Sequence, residues 1–288
     1  MTPAPKTQFV LTLSCTDRRG IVAAVASFLA EHKCTIRDSQ QFGDEDTGRF
    51  FMRVHFASED GELELEPLRG QFATVGEEFG LAWSLNDMTA RRRLLVMVSK
   101  QGHCLNDLLY RARTGALPAD ITAVVSNHED LRSLVEWHDI AFHHVPVDAR
   151  SKEVAEDRLR ELIEHYTADT VVLARYMQVL SDPLCKELEG SAINIHHSLL
   201  PSFKGARPYF QAHARGVKVV GATAHYVTAE LDEGPIIEQD FTKVDHRHSA
   251  HDLTALGRDL EARALARAVT AHAENRVLLN GDKTVVFG

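Results

Sequence analysis

Apolar residues in the first ninety positions form short strand-like runs and two helix-like stretches. Over residues 21–30 they recur at the spacing of one helix face. The breaker-rich residues 43–48 separate two strand-like runs. The predicted order is strand, helix, strand, strand, helix, strand, over residues 9–15, 21–30, 34–42, 49–56, 65–79 and 81–85. This order predicts a ferredoxin-like α+β domain, which we assign to residues 1–88.

A different pattern follows residues 88–93, a polar segment with three consecutive arginines at 91–93, which we interpret as a solvated linker. Strands are expected over residues 94–98, 121–126, 142–147, 170–173, 192–195 and 222–227, and helices over residues 105–114, 131–137 and 152–166. Strands that alternate with helices indicate a Rossmann-like α/β fold with a mostly parallel sheet. Residues 89–288 are therefore expected to form a second domain that binds its ligand at the carboxyl ends of the strands.

Composition and charge narrow the classes of function. The chain has 32 Lys and Arg against 41 Asp and Glu, a formal net charge of −9. This balance argues against nucleic acid or an anionic membrane as a partner. No apolar run approaches the roughly 20 residues of a membrane span, and the first residues lack the apolar core of a signal peptide. The four cysteines are scattered, as expected for reduced thiols in a cytoplasmic protein.

Nucleotide and metal cofactors have no support in the motifs. Neither the dinucleotide fingerprint G-x-G-x-x-G nor the phosphate loop G-x-x-x-x-G-K-[ST] occurs where it would be needed. The densest histidine cluster is His246, His248 and His251, in a polar segment before the last helix. A solvated loop explains this cluster better than a metal site. We therefore expect no metal and no cofactor.

Asn194 and His196 occupy alternate positions of a predicted strand, so their side chains point to the same face. An amide and an imidazole at a strand's carboxyl end can stabilise the oxyanion that forms when a carbonyl is attacked. Asp232 lies in a turn with Gly234 and can orient an imidazole or a water molecule. Each residue alone is more typical of a turn or a satisfied core group, but the three together suit formyl or acyl transfer.

The segment that begins at Asn194 has the pattern N-x-H-x-S-L-L-P, and D-x-G-P follows at Asp232. Together they resemble the signature of the folate-dependent formyltransferases, over residues 94–288. The resemblance implies that Asn194, His196 and Asp232 are the catalytic trio. It also implies a pterin pocket, with one wall formed by Met177, Gln178, Val179 and Leu180 and the other by Val227, Thr228 and Glu230. A contact with the formyl acceptor is implied at Lys204 and Gly205. The acceptor contact, at Lys204 and Gly205, has no evident role in a hydrolase.

Three features distinguish the members of this family. Residues 99–105 lack the small phosphate-binding residues of the glycinamide ribonucleotide transformylases. The stretch after Asp232 leaves no room for the tRNA-binding barrel of the methionyl-tRNA formyltransferases. The N-terminal domain resembles an ACT domain, which implies an effector site at Asp17, Arg18 and Gly20. An ACT domain before a formyltransferase-like domain is the arrangement of the formyltetrahydrofolate deformylases. Residues 196–198 (His-His-Ser) and residues 257–261 also resemble the corresponding segments of those enzymes.

The resemblance therefore implies hydrolysis of 10-formyltetrahydrofolate to formate and tetrahydrofolate, with water as the nucleophile. Such an enzyme would supply formate to purine synthesis and balance the one-carbon pool. The resemblance also implies a homo-oligomer whose ACT domain binds an amino-acid effector. Two alternatives stay open. One is a formyltransferase that uses an unidentified amine, and the other is a regulatory binding protein with an inactive site, against which the intact trio argues.

Overall fold

The computed structural model describes residues 7–58, 63–148, 151–201 and 208–288. Backbone contacts divide the chain into two compact units. The first unit comprises Met1–Arg91, Glu274–Asn280 and Val285–Gly288, and the second comprises Arg92–Ala273 and Gly281–Thr284. Among the described residues, no helix combines the length and apolar character that a membrane span requires.

The first unit has the predicted ferredoxin-like order, which is confirmed. Its elements are β1 (Gln8–Thr16), α1 (Ile21–Glu31), β2 (Cys34–Asp44), β3 (Arg49–Ser58), α2 (Leu65–Phe79) and β4 (Ala82–Asp87). The strands form an antiparallel sheet in the order β2-β3-β1-β4. One face of the sheet packs on both helices, where the ring of Phe72 meets those of Phe28 and Trp83 edge to face. Apolar alternation along β1 therefore supplies one side of this core.

The second unit is an α/β domain, as predicted. Its strands are β5 (Arg92–Val98), β6 (Ala119–Ser126), β7 (Ala141–His144), β8 (Thr170–Leu173), β9 (Ala192–His196), β10 (Val219–Tyr226) and β11 (Ile236–Lys243). Its helices are α3 (His103–Thr114), α4 (Arg132–Glu136), α5 (Lys152–His165), α6 (Asp182–Glu187), α7 (Pro208–Arg215) and α8 (Ala250–Ala273). A hairpin of β12 (Val277–Asn280) and β13 (Lys283–Val286) follows.

The sheet of the second unit runs in the order β11-β10-β9-β8-β5-β6-β7. The five strands from β9 to β7 are parallel, whereas β10 and β11 are antiparallel to their neighbours. The carboxyl ends of β8 and β9 therefore lie side by side. The antiparallel register of β9 and β10 places His225 opposite Asn194. These three strands thus gather polar side chains at one edge of a buried sheet.

The structure differs from the sequence-based expectation at both domain junctions. Residues 91–93 are not simply a solvated linker, because β5 begins at Arg92 and the Arg93 side chain donates to the Tyr166 carbonyl at 2.9 Å. The C-terminal residues, expected in the second domain, mostly belong to the first unit. There, Arg53 donates to the carbonyl oxygens of Glu274 and Asn275 at 3.1 and 3.2 Å.

Candidate active site

A cavity of about 240 Å³ opens at the carboxyl ends of β8 and β9 in the second unit. Its walls come from the segments that follow β8, β9 and β10. Their lining residues include the trio Asn194, His196 and Asp232, together with Met177, Gln178, Val179, Leu180, Val227, Thr228 and Glu230. The structure therefore brings both predicted pterin walls and the predicted trio into one cavity. Lys204 and Gly205 lie outside the described residues.

His196 and Asp232 form a buried hydrogen-bonded pair. Nδ1 of His196 lies 3.2 Å from Oδ1 of Asp232, and the two side chains are 5% and 13% exposed. Burial opposes ionisation of Asp232, but hydrogen bonding from His196 holds the pKa of this carboxyl well below its ordinary range. Asp232 is thus a carboxylate that accepts the Nδ1 proton of His196. This bond leaves Nε2 as the basic nitrogen of the neutral imidazole.

The free nitrogen of His196 faces a hydroxyl group. Nε2 lies 2.9 Å from Oγ of Ser198, which is itself buried. A hydroxyl can donate to a neutral imidazole or accept from an imidazolium. Ser198 therefore suits both protonation states of His196, as required of a residue that takes up and releases a proton.

The loop after β10 holds Asp232 in a conformation that few residues adopt. The φ angle of Asp232 is 59°, in the left-handed region, which aspartate tolerates better than most side chains. Two residues later, a Cβ on Gly234 would lie 1.8 Å from the carbonyl oxygen of Tyr226. Glycine is therefore required where the loop crosses the end of β10. This close crossing directs the Asp232 carboxylate back towards His196.

Asn194 is oriented by a second histidine. Nδ1 of His225 lies 2.8 Å from the carbonyl oxygen of Tyr226, so this nitrogen must donate. Nε2 of His225 then accepts from Nδ2 of Asn194 at 3.2 Å. One N–H of the Asn194 amide is engaged in this way, and the other N–H and the carbonyl oxygen remain for a ligand.

The position of His225 in a strand leaves two interpretations, a residue that supports the site and an ordinary strand histidine, and the sequence favours the second. The side chain lines the cavity and its Nε2 lies 3.8 Å from Oδ1 of Asp232. One signal in the sequence was that the strand of His225 directly precedes the Asp232 turn. The register that places His225 beside Asn194, however, depends on the pairing of two strands in the folded sheet.

The wall that follows β8 is anchored by a buried carboxylate. Glu156 on α5 is 8% exposed and accepts hydrogen bonds from the backbone N–H and the hydroxyl of Ser181. Ser181 in turn caps α6, accepting from the backbone N–H of Leu184 at 3.4 Å. The segment from Met177 to Ser181 is therefore fixed at its far end. Met177 and Val179 are each 57% exposed and leave an apolar surface on this wall.

The residues of the predicted effector site lie at the turn between β1 and α1 in the first unit. Asp17, Arg18 and Gly20 are exposed. Gly20 has a φ of 99°, which favours glycine, and it stands at the start of α1. The guanidinium of Arg18 lies over the Phe79 ring, 4.3 Å from its centroid. The turn thus presents one charged group of each sign at the start of a helix.

A second polar cluster, His103, Cys104 and Glu261, has donor atoms close enough for a metal ion. Its chemistry does not suit a cation. The Glu261 carboxylate accepts from His103 and Tyr209, both at 2.7 Å, and faces Arg175. Burial, followed by the charge of Glu261, raises the pKa of the Cys104 thiol well above its ordinary value, which keeps the sulfur protonated. The arrangement is an internal charge network.

Comparison with known proteins identifies the class of each unit. The family described as "Formyl transferase" matches residues 92–269, and the ACT domain family matches residues 9–71. The second match includes the β1–α1 turn, and the first includes the whole cavity. The fold and the site therefore define an ACT domain joined to a formyl transferase domain.

Several relatives match nearly the full chain. A formyltetrahydrofolate deformylase of Corynebacterium sp. (strain P-1) is 53% identical over 278 residues, which cover 96% of this chain and 97% of that protein. The crystal structure of formyltetrahydrofolate deformylase from Burkholderia mallei ATCC 23344 has a TM-score of 0.94 at 50% identity, covering 99% and 100% of the two chains. Glycinamide ribonucleotide transformylase 1 from Symbiobacterium toebii (TM-score 0.62, 30% identity) covers 69% of this chain and 95% of its own. The chain belongs to the formyltetrahydrofolate deformylase family.

Proposed function

We propose that this protein hydrolyses 10-formyltetrahydrofolate to formate and tetrahydrofolate, with Asn194, His196 and Asp232 as its catalytic residues. The central observation is that these three side chains converge on one cavity, with Asp232 ionised and bonded to His196. Full-length similarity to deformylases supports hydrolysis over transfer to an amine. The function belongs to one-carbon metabolism, where it releases formate for purine synthesis.

The pterin of the substrate would bind along the wall that follows β8. Met177, Val179 and Leu231 are large apolar side chains, each more than half exposed at the cavity. Apolar side chains in a concave site are typical of a pocket for a flat ring system. The polar groups of Gln178 and Thr228 line the same cavity and can orient the ring edge. In this arrangement the formyl group faces Asn194 and His196.

Water is the nucleophile, and His196 receives its proton. As the water oxygen bonds to the formyl carbon, the Ser198 hydroxyl turns its proton away from Nε2 of His196, Nε2 takes the water proton, and the carbonyl oxygen becomes an oxyanion. Asp232 stabilises the resulting imidazolium through its bond to Nδ1. The remaining N–H of Asn194 and the imidazolium stabilise the oxyanion. When the tetrahedral intermediate collapses, the C–N bond breaks and the proton passes to the departing folate nitrogen. Every step uses side chains of the chain itself, so we propose that the reaction needs no metal and no cofactor.

The test is a formate assay without any amine acceptor. Wild-type protein should release formate from 10-formyltetrahydrofolate, and His196→Ala should reduce turnover by at least about 100-fold while folate binding persists. Exposed His213 provides a matched control, and His213→Ala should retain wild-type turnover. Formation of tetrahydrofolate and a formylated amine, without formate, would favour the formyltransferase alternative. His196→Ala with turnover near wild type would remove His196 from the mechanism.

We further propose that the ACT domain binds a small amino acid near Asp17, Arg18 and Gly20, within a cytoplasmic homo-oligomer. Backbone N–H groups at the start of α1 and the Arg18 guanidinium favour a carboxylate. Glycine and methionine are the first candidates, because free tetrahydrofolate and one-carbon units link their metabolism. The four free cysteines suit a reducing compartment. Analytical ultracentrifugation would test the oligomeric state, and a monomer would contradict it.

Point substitution tests the effector site better than removal of residues 1–88, because residues of the C-terminal segment belong to the same unit. Glycine and methionine should be titrated against wild type and Arg18→Ala. A change in wild-type activity that Arg18→Ala abolishes would support the site. Indifference of the wild type at millimolar concentrations would leave the ACT domain without an amino-acid effector.

A further inference from the structure

Behind the catalytic histidine lies a network of side chains that the proposed reaction does not use. It begins at Glu261 on α8, which is 1% exposed. Its Oε2 is 2.7 Å from Nε2 of His103 and 3.3 Å from Nε of Arg175, and its Oε1 accepts from the hydroxyl of Tyr209 at 2.7 Å. Burial opposes ionisation, but His103 and Arg175 hold the pKa of this carboxyl below its ordinary value. Glu261 is therefore a buried anion held by three partners.

A glycine one helical turn earlier allows this contact. A Cβ on Gly257 would lie 2.0 Å from the ring of Tyr209. Residues at i and i+4 lie on the same helix face, so the ring packs on Gly257 and its hydroxyl reaches Glu261. The two residues of α8 therefore act together, and this explains why a glycine occupies a long helix at this point.

Arg175 links Glu261 to the active site. It follows β8, its side chain is 10% exposed, and its φ of 66° is a sparsely populated conformation for a residue other than glycine. The guanidinium donates through Nη1 to Nδ1 of His197 and through Nη2 to Oε1 of Gln101 at 3.2 Å. Because a guanidinium can only donate, Nδ1 of His197 must accept. His197 is thereby held as a neutral imidazole with its proton on Nε2.

The neutral ring of His197 lies flat on the catalytic ring. The centroids of His196 and His197 are 4.9 Å apart, and the ring planes differ by 18°. His196 is thus fixed on one side by the stack and at its edge by Asp232. When His196 takes up a proton, the adjacent ring is uncharged. The guanidinium that His197 contacts, that of Arg175, is balanced by Glu261.

We infer that His197, held by Arg175 and Glu261, is a positioning residue that fixes the ring of His196 and accommodates its protonated form. This inference rests on the proposed function, in which His196 receives the proton of water. Among the residues that the structure describes, the charged and titratable groups on the His196 side of the site include Asp232 after β10, His225 on β10, Arg175 after β8 and Glu261 on α8, with His197 adjacent in sequence. In this set, Asp232 and Glu261 balance the imidazolium and the guanidinium.

Two substitutions at His197 separate its two contacts. His197→Phe retains a flat ring but cannot accept from Arg175, whereas His197→Ala removes both contacts. We expect kcat to fall about threefold for Phe and at least about tenfold for Ala, with KM within about twofold of wild type. The His213→Ala variant serves as the control, since it removes an exposed imidazole.

Glu261→Gln tests the charge balance, with circular dichroism to confirm folding. The uncompensated Arg175 charge should disfavour the protonated form of His196. The acid limb of the log(kcat/KM) profile should therefore move to lower pH, by about half a pH unit. A buried stacking role alone would leave that limb in place. If Glu261→Gln fails to fold, His197→Phe and His197→Ala remain decisive.

The outcomes distinguish this inference from the proposed function. His197→Ala with kcat within twofold of wild type would overturn the inference. So would a raised KM at unchanged kcat, which would make His197 a binding residue. In either case an inactive His196→Ala would leave the proposed function intact. An active His196→Ala would instead remove the basis of both.

Discussion

Nδ1 of His196 and Oδ1 of Asp232 lie 3.2 Å apart, between a strand end and a loop whose backbone is left-handed at the aspartate. The aspartate has a lowered pKa because the imidazole donates to it, despite a burial that acts in the opposite direction. This pair fixes the tautomer of His196 and therefore which ring nitrogen is basic.

Asp232→Asn should retain the shape of the site and lose most of the activity. The amide cannot stabilise an imidazolium, and it can turn its N–H towards Nδ1, which would reverse the tautomer. We expect kcat to fall by at least about 100-fold with KM nearly unchanged, measured as formate release. Glu233 is the adjacent exposed carboxylate, and Glu233→Gln is the matched control. Unchanged turnover with lost folate binding would make Asp232 a binding residue.

Gly234→Ala should damage the active site from outside it. The added Cβ would meet the backbone carbonyl of Tyr226 at 1.8 Å, so the loop must move and take Asp232 with it. We expect kcat to fall by more than tenfold, with destabilisation of about 1–3 kcal/mol. Gly70→Ala, where a Cβ meets nothing within 4 Å, should leave both quantities near wild type. Wild-type kcat in Gly234→Ala would show that the loop adjusts without moving the carboxylate.

Glu156→Gln should weaken substrate binding more than catalysis. The change replaces one carboxylate oxygen that holds Ser181, and thereby loosens the wall that begins at Met177. We expect KM to rise about tenfold and kcat to stay within about threefold. Glu153→Gln changes an exposed glutamate on the same helix and should alter neither constant. A fall in kcat at constant KM would place Glu156 in the chemical step instead.

The stability of the protein should decrease below neutral pH, in part through His272. This ring lies between the hydroxyls of Tyr226 and Thr170, at 2.8 and 3.0 Å. Burial, followed by the charge of Arg92, lowers its pKa from 6.5 to about 4. Between these two values the unfolded chain binds a proton that the folded chain does not. This contribution to stability is therefore complete above pH 6.5 and is lost as the pH falls towards 4, at up to about 1.4 kcal/mol per pH unit.

Urea unfolding at pH 7, 6 and 5 measures this effect. His55, His138 and His143 also have lowered pKa values and add to the total, so the comparison is between variants. His272→Gln should lose less stability on acidification than wild type, whereas His246→Gln, at an exposed position, should match wild type. Identical pH slopes for His272→Gln and wild type would mean that His272 protonates without cost.

Local patterns were sufficient to predict most elements of the two folds. The helical period of α1 and α2, and the apolar runs of β8 and β9, are encoded in adjacent residues, and the structure has these elements at nearly the expected bounds. The segment after β5 was harder to interpret. Three consecutive arginines suggest a solvent-exposed segment. Arg92 and Arg93 nevertheless begin β5, because both residues pair with β6 and the Arg93 carbonyl accepts from the backbone N–H of Asp169.

The trio could be named from the sequence, but its surroundings could not. His225 reaches Asn194 through the register of two antiparallel strands, and Glu261 reaches Arg175 from a helix late in the chain. Such contacts depend on tertiary packing, which no local pattern specifies. The left-handed backbone of Arg175 is equally invisible in the sequence, because arginine has no preference for that conformation.

The first unit is built from an N-terminal stretch and two short C-terminal stretches, with Arg92–Ala273 of the second unit between the first stretch and the other two. Buried Arg53 has Asp38 at 3.4 Å, but its other partners are the carbonyl oxygens of Glu274 and Asn275. During synthesis the N-terminal stretch leaves the ribosome first, and until residues 274 and 275 emerge, that guanidinium lacks two of its acceptors. The N-terminal unit is therefore completed last in cotranslational folding, after the sheet of the second unit has been made.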